Sequence, residues 1–326
     1  MLLRKSTSYF GYNPRQCFDA SSSLDALERK QWEVESRIKT IASKGSDCIL
    51  TLVWSLLSAD SSDLPYAIFQ IAPAGNEEGR FRFLSRCKFE AVSGWALDIL
   101  LQEYNDRRAN EAAEFYHRIS LMPEAASLRG HLFERQALNY FSDIGPERDF
   151  SIRRLTDSTQ MKWTLHGPIH RIPLQESTVS YEITKAAQNQ KPLHLVPLVP
   201  NFAAVDSILY DPKDPNAALT CIQLTMNRRD HAIAVSGLKR IQSCLKLHSP
   251  LEGLRPKKYR PWCFIFVVPK GMEPIFELQD MKGKTATAEW AGKVDQYVLG
   301  LEEQTIFGGY DLSVQRGYSS EQQVRR

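Results

Sequence analysis

Apolar and polar positions alternate most clearly between Asn201 and Met226, in NFAAVDSILYDPKDPNAALTCIQLTM. Two runs rich in Ile, Leu, Val and Phe flank Asp211-Pro212-Lys213-Asp214-Pro215-Asn216. Pro and Asp at that density bend a chain and cannot carry a ladder on, so the pattern predicts strand, loop, strand. With a side-chain period of two, Phe202, Ala204, Asp206, Ile208 and Tyr210 share one face, and Leu219, Cys221, Gln223 and Thr225 share one face of the return strand. If Asp211 lies opposite Ala218, then Asp206 lies opposite Gln223. An acid and an amide would then meet in apolar surroundings, where a carboxylate is costly unless it is paired or holds a metal. The alternative is an edge strand whose Asp206 faces water.

Upstream, Met1 to Ser23 shows no period and reads as a loosely ordered lead-in. Ser23 can cap a helix that carries Leu24, Leu27, Trp32, Val34, Ile38 and Ile41 and ends near Gly45. Cys48 to Ala59 is a continuous apolar run, either a buried strand or a short helix. Tyr66 to Ala72 and Arg80 to Arg86 read as two strands around the Pro73, Gly75, Asn76 and Gly79 loop. Ser93 to Ile119 reads as helix, and Pro123 stops it and marks a domain boundary.

A second helix is predicted over Glu124 to Phe141, burying Leu128, Leu132, Phe133, Ala137, Tyr140 and Phe141. Helical side chains tilt toward the N-terminus, so Glu134 would lie over Gly130, where no Cβ blocks a close approach. Short strands over Phe150–Leu155, Met161–His166 and Ile169–Leu174, a helix over Ser177–Gln188 and a strand from Leu193 lead into the hairpin. After it come a helix over Arg229–Leu245, a loop from His248 to Pro261 and a buried central strand, Trp262 to Pro269. Trp290 to Leu301 reads as a helix, with Val294, Tyr297, Val298 and Leu301 in step, and a polar tail follows.

The chain has 326 residues, 43% of them hydrophobic and 24% charged, the composition of a globular protein. Its formal net charge of +3 is unevenly spread, with 15 Lys+Arg against 17 Asp+Glu up to Ala125 and 26 against 21 beyond it. A surplus that small permits a polyanionic partner without requiring one. Six scattered cysteines without a CxxC pair, and no secretory signal at Met1, point to reduced thiols inside a cell. The longest apolar run is too short to cross a bilayer. The chain contains no GxxxxGK[ST] and no GxGxxG phosphate loop.

The order of elements implies an α/β (α+β) protein. A smaller, mainly helical α+β module (1–125) precedes a mixed sheet flanked by helices (126–304), and a polar tail (305–326) follows. In that arrangement Glu134, Asp206, Gln223 and Thr225 could converge at one sheet edge. Two carboxylates and an amide oxygen are the hard donors Mg²⁺ or Mn²⁺ takes. Such an ion can polarise a phosphoryl oxygen and activate water.

RGHLFE at Arg129–Glu134, NFAAVDSILY at Asn201–Tyr210, IQLT at Ile222–Thr225, WCFIFVVP at Trp262–Pro269 and VDQYVLGL at Val294–Leu301 resemble the Crinkler and retrotransposon-hot-spot (RHS) proteins of fungi and related eukaryotes. The resemblance runs over about Leu128 to Leu301. It implies a restriction-endonuclease-like, PD-(D/E)xK domain, which in that family often follows an NTPase module. It also implies metal-dependent hydrolysis of nucleic acid, DNA rather than RNA, in the nucleus or cytoplasm, with the nucleus favoured.

Carried over, Glu134 matches the helix glutamate, Asp206 the metal-binding aspartate, and Gln223-Leu224-Thr225 stands at ExK. The resemblance thus makes Glu134, Asp206 and Gln223 the metal ligands. Thr225 brings no lysine charge, so His231 or Lys239 would have to replace it. Phosphate contacts would fall to Arg153, Arg154, Arg228, Arg229, Lys257 and Lys258. Two further outcomes stand beside hydrolysis: a silent fold that binds nucleic acid or a protein partner, and a structural fragment of a larger NTPase-nuclease protein.

Overall fold

The computed structural model describes residues 2–11, 14–45, 68–73, 87–107, 111–122, 125–142, 147–166, 169–172, 176–197, 205–213, 219–227, 232–245, 251–282 and 289–307. Cys48–Ala59, Arg80–Arg86, Arg228, Arg229, His231 and the tail beyond Phe307 lie outside them. The chain divides into two compact units, Met1–Arg135 with Gln304–Arg326, and Gln136–Glu303. The division falls within a helix, ten residues beyond the cut that Pro123 suggests.

In the first unit the expected lead-in is helical. Helices α1 (Leu2–Phe10) and α2 (Pro14–Ala20) bury Phe10, Cys17 and Ala20. Gly11, at φ +61°, ends α1 in the left-handed conformation that favours glycine. Ser23 caps α3 (Leu24–Ala42), its hydroxyl accepting from Ala26 N–H at 3.1 Å. Leu27, Val34, Ile38 and Ile41 are buried as expected, but Leu24 and Trp32 are exposed. Strands β1 (Phe69–Pro73) and β2 (Cys87–Ala91) pair antiparallel. The single helix expected next is two, α4 (Gly94–Arg107) and α5 (Glu111–Ser120), and α6 spans Ala126–Ser142.

The second unit is an α+β layer built on one mixed sheet. Its strands are β3 (Glu147–Arg154), β4 (Gln160–His166), β5 (Ile169–Ile172), β6 (Leu193–Pro197), β7 (Ser207–Tyr210), β8 (Thr220–Leu224), β10 (Trp262–Pro269) and β12 (Val294–Leu301). The spatial order is β4-β3-β12-β10-β8-β7-β6-β5, eight strands among the described residues. The central three, β8, β10 and β12, run parallel. A two-residue pair, β9 (Ile233–Ala234) with β11 (Met281–Lys282), stands apart.

All eight residues of β10 are buried, as a doubly covered central strand requires. Alternation assigns Leu195, Ile208, Cys221, Phe264, Phe266, Val294 and Val298 to one face. They form a core with α7 (Glu176–Gln188) and α8 (Val235–Cys244), through Val179, Ile183, Leu238 and Ile241. Here two expectations change. The segment expected to be a closing helix is β12, because Val294, Tyr297, Val298 and Leu301 suit a fully buried strand as well as a helix stripe. Helix α8 begins at Val235, six residues later than expected.

Candidate functional site

The hairpin register is the one its turn dictates. Ser207 faces Ile222, Ile208 faces Cys221 and Leu209 faces Thr220, which carries on to Asp206 opposite Gln223. Both stand at the carboxyl end of β8, the end of a parallel sheet where ligands are usually bound. The local bonding explains the acid without invoking a ligand. Asp206 N–H donates to the Ile222 carbonyl at 2.8 Å, and Asp206 Oδ2 accepts from Leu224 N–H at 2.7 Å. The carboxylate takes the place of a ladder acceptor where β7 begins. Thr225 is buried, and its Oγ1 accepts from Asn227 N–H at 3.0 Å, so it shapes the turn that leaves β8.

The remaining expected members have local surroundings of their own. Glu134 belongs to the first unit and Asp206 to the second. Glu134 Oε2 lies 3.5 Å from His131 Nδ1, one turn back on α6. Among the described residues nothing stands within 4 Å of a Cβ built on Gly130, so no close approach is seen over the glycine. Gly130→Ala should therefore raise stability by about 0.5–1 kcal/mol, read as a higher urea midpoint, because Ala is the better helix residue and finds open space. Lys239 is half exposed and pairs with Glu289 at 2.7 Å, just before β12 and so at the amino end of the parallel strands.

The basic residues divide in the same way. The Arg153 guanidinium donates to the carbonyls of Glu273 and, at 3.1 Å, Phe276. Arg154 is held by Asp295 at 2.6 Å and Asp157 at 3.6 Å. Both arginines are thus tied into the fold rather than presented to a phosphate. Lys257 and Lys258 are exposed, but they precede β10 and lie at its amino end, whereas Gln223 is level with Phe266 in the same strand. From Arg260 to Phe266 is six residues, roughly 20 Å along a strand. These lysines do not serve the Asp206 edge.

At the carboxyl end the residue not anticipated is Glu273. It is 7% exposed, ion-paired with Lys270 and packed on Gly300, where an added Cβ would stand 2.9 Å from its own Cβ. Its only signal in the sequence was an acid following a buried strand.

Among the described residues there is no group of three or more His, Cys, Asp and Glu that could hold a metal. Asp206, with one oxygen already committed, and Gln223 offer one carboxylate and one amide. No family model, curated protein or solved structure matches the chain. Among the described residues no helix is long and apolar enough to cross a membrane.

Proposed function

We propose that residues 136–303 form a nucleic-acid-binding domain that keeps the sheet of a restriction-endonuclease-like, Crinkler/RHS-type protein without its hydrolytic centre. The observation that carries this reading is the use of the site positions by the backbone. The aspartate caps the Leu224 N–H, and the threonine in the lysine's place closes a turn on Asn227. One carboxylate oxygen of Asp206 is thereby committed to the fold, and the Thr225 hydroxyl brings no lysine charge to a developing phosphorane. The basic surplus beyond Ala125 supports an anionic partner.

The second reading is metal-dependent phosphodiester hydrolysis. It is favoured by the Asp206–Gln223 juxtaposition at the carboxyl end of the parallel strands. One assay separates the two. Purified protein is incubated with single- and double-stranded DNA in Mg²⁺ or Mn²⁺, and binding is measured against salt. The expected outcome is salt-sensitive binding with the nucleic acid intact. Cleavage that disappears in Asp206→Asn would establish the second reading instead.

A further inference from the structure

The amino ends of β10 and β12 carry a feature that the Asp206 edge lacks. Residues Lys257 to Arg260 form a tight turn closed by two backbone hydrogen bonds, Lys257 N–H to the Arg260 carbonyl at 3.1 Å and Arg260 N–H to the Lys257 carbonyl at 3.0 Å. Lys258 and Tyr259 occupy its tip. Both flanks are anchored. Leu254 and Pro256 are buried before the turn, and Trp262, fully buried after it, donates its indole N–H to the Leu254 carbonyl at 2.8 Å. Trp262 in turn packs on Trp290 with ring centroids 5.7 Å apart. The turn is therefore presented in a fixed shape, and a ligand meets little cost in ordering it.

What it presents is basic and aromatic. Tyr259 is 82% exposed, the highest value among the exposed large hydrophobic residues described. Lys257 Nζ stands 5.5 Å from its ring centroid, and Arg255, Lys258 and Arg260 surround it in sequence. Lys258 also reaches the turn before β12: its Cγ would lie 3.6 Å from a Cβ on Gly292, next to Lys293. Among the described residues none of these five cations is in an ion pair. The neighbouring acid Glu289 is already paired with Lys239.

We infer that this turn is a contact surface for single-stranded nucleic acid, with an unpaired base stacked on Tyr259 and the flanking phosphates met by Arg255, Lys257 and Lys258. Stacking on an exposed aromatic ring needs a free base face, which a duplex offers only at its ends. Lysines beside the ring meet the phosphates on either side of that base. An anionic membrane is the poorer partner, because the turn exposes one aromatic ring and no aliphatic side chain to enter lipid. The inference rests on the nucleic-acid-binding reading and names a surface for it at the opposite end of the strands from Asp206.

The test measures fluorescence anisotropy of a short labelled oligothymidine and of a duplex of equal length with the full chain, across a salt series. Wild type is expected to prefer the single strand. Tyr259→Ala should weaken it about tenfold, and Tyr259→Trp should restore it. Lys257→Ala and Lys258→Ala should each lower the slope of log affinity against log salt by about 0.7. Lys162→Ala, on the far edge strand β4, should change neither. If wild type binds but Tyr259→Ala and the two lysine variants match it, the turn is not the surface and the nucleic-acid reading stands. If wild type binds no nucleic acid, or binds only phosphatidylserine vesicles, both fall.

Discussion

Lowering the pH from 7 to 5 should cost the second unit about 2 kcal/mol through His194 alone. His194 lies in β6 opposite Leu209, is 0% exposed, and among the described residues neither ring nitrogen has a hydrogen-bond partner. Burial drops its pKa from the ordinary 6.5 to about 3. The unfolded chain takes up a proton near pH 6.5, and the folded chain refuses one until about pH 3. The folded-state pKa is the depressed one, so stability is whole above pH 6.5 and is lost as the pH falls toward 3. The slope is about 1.4 kcal/mol for each pH unit in between. Urea midpoints of wild type and His194→Leu at both pH values check this. Wild type should lose about 2 kcal/mol more than the variant on acidification, since every other titrating group is shared. Equal losses would mean that the imidazole is solvated or partnered.

Gly11→Ala should be the most damaging conservative change in the first unit, costing on the order of 3–5 kcal/mol. A Cβ at Gly11 would stand 2.1 Å from the Val92 carbonyl oxygen, a backbone atom that no rotamer change can move aside. Its φ of +61° adds about 1–2 kcal/mol for an L-residue. The displacement would reach the adjoining Ser93. That hydroxyl donates to the Tyr9 carbonyl at 2.6 Å and accepts from Ala96 N–H at 3.1 Å, capping α4. Gly45→Ala serves as control. Its φ is +85° but nothing among the described residues lies within 4 Å of an added Cβ, so only the conformational cost should appear. Thermal melts of both variants beside wild type separate collision from backbone preference, and equal midpoints would refute the collision.

The hairpin is legible because Pro and Asp between two apolar runs mark a turn, and pairing Asp211 with Ala218 across it sets the register of everything behind. Asp206 opposite Gln223 follows from counting alone. Strand β12 was not legible. Its apolar residues at i, i+3, i+4 and i+7 describe a helix stripe, and only its place between β10 and β3 makes it a strand. Tertiary context overrides propensity there. The lead-in is illegible for the opposite reason, since α1 and α2 are short and the apolar residues described as buried in them, Phe10, Cys17 and Ala20, are too few for a period to show.

The site itself was half legible. Residue type placed an acid at a strand end. What that acid bonds to, a Leu224 amide, is a fact of three-dimensional geometry. The basic residues could be named from sequence, but Arg153 and Arg154 prove to be internal struts. The string RPKKYR at Arg255–Arg260 carries a signal of its own, a tyrosine set among cations.

Strand order also dictates when the second unit can exist during synthesis. Strand β3 is made early, yet its partner is β12, with Arg154 beside Tyr297 across more than a hundred intervening residues. Until Val294–Leu301 leave the ribosome, β10 has one open flank along eight apolar residues and β3 has no neighbour on that side. The nascent chain therefore carries the unpaired, hydrophobic flank of β10 while the residues between Pro269 and Val294 are made, the kind of surface on which chaperones act and aggregates begin.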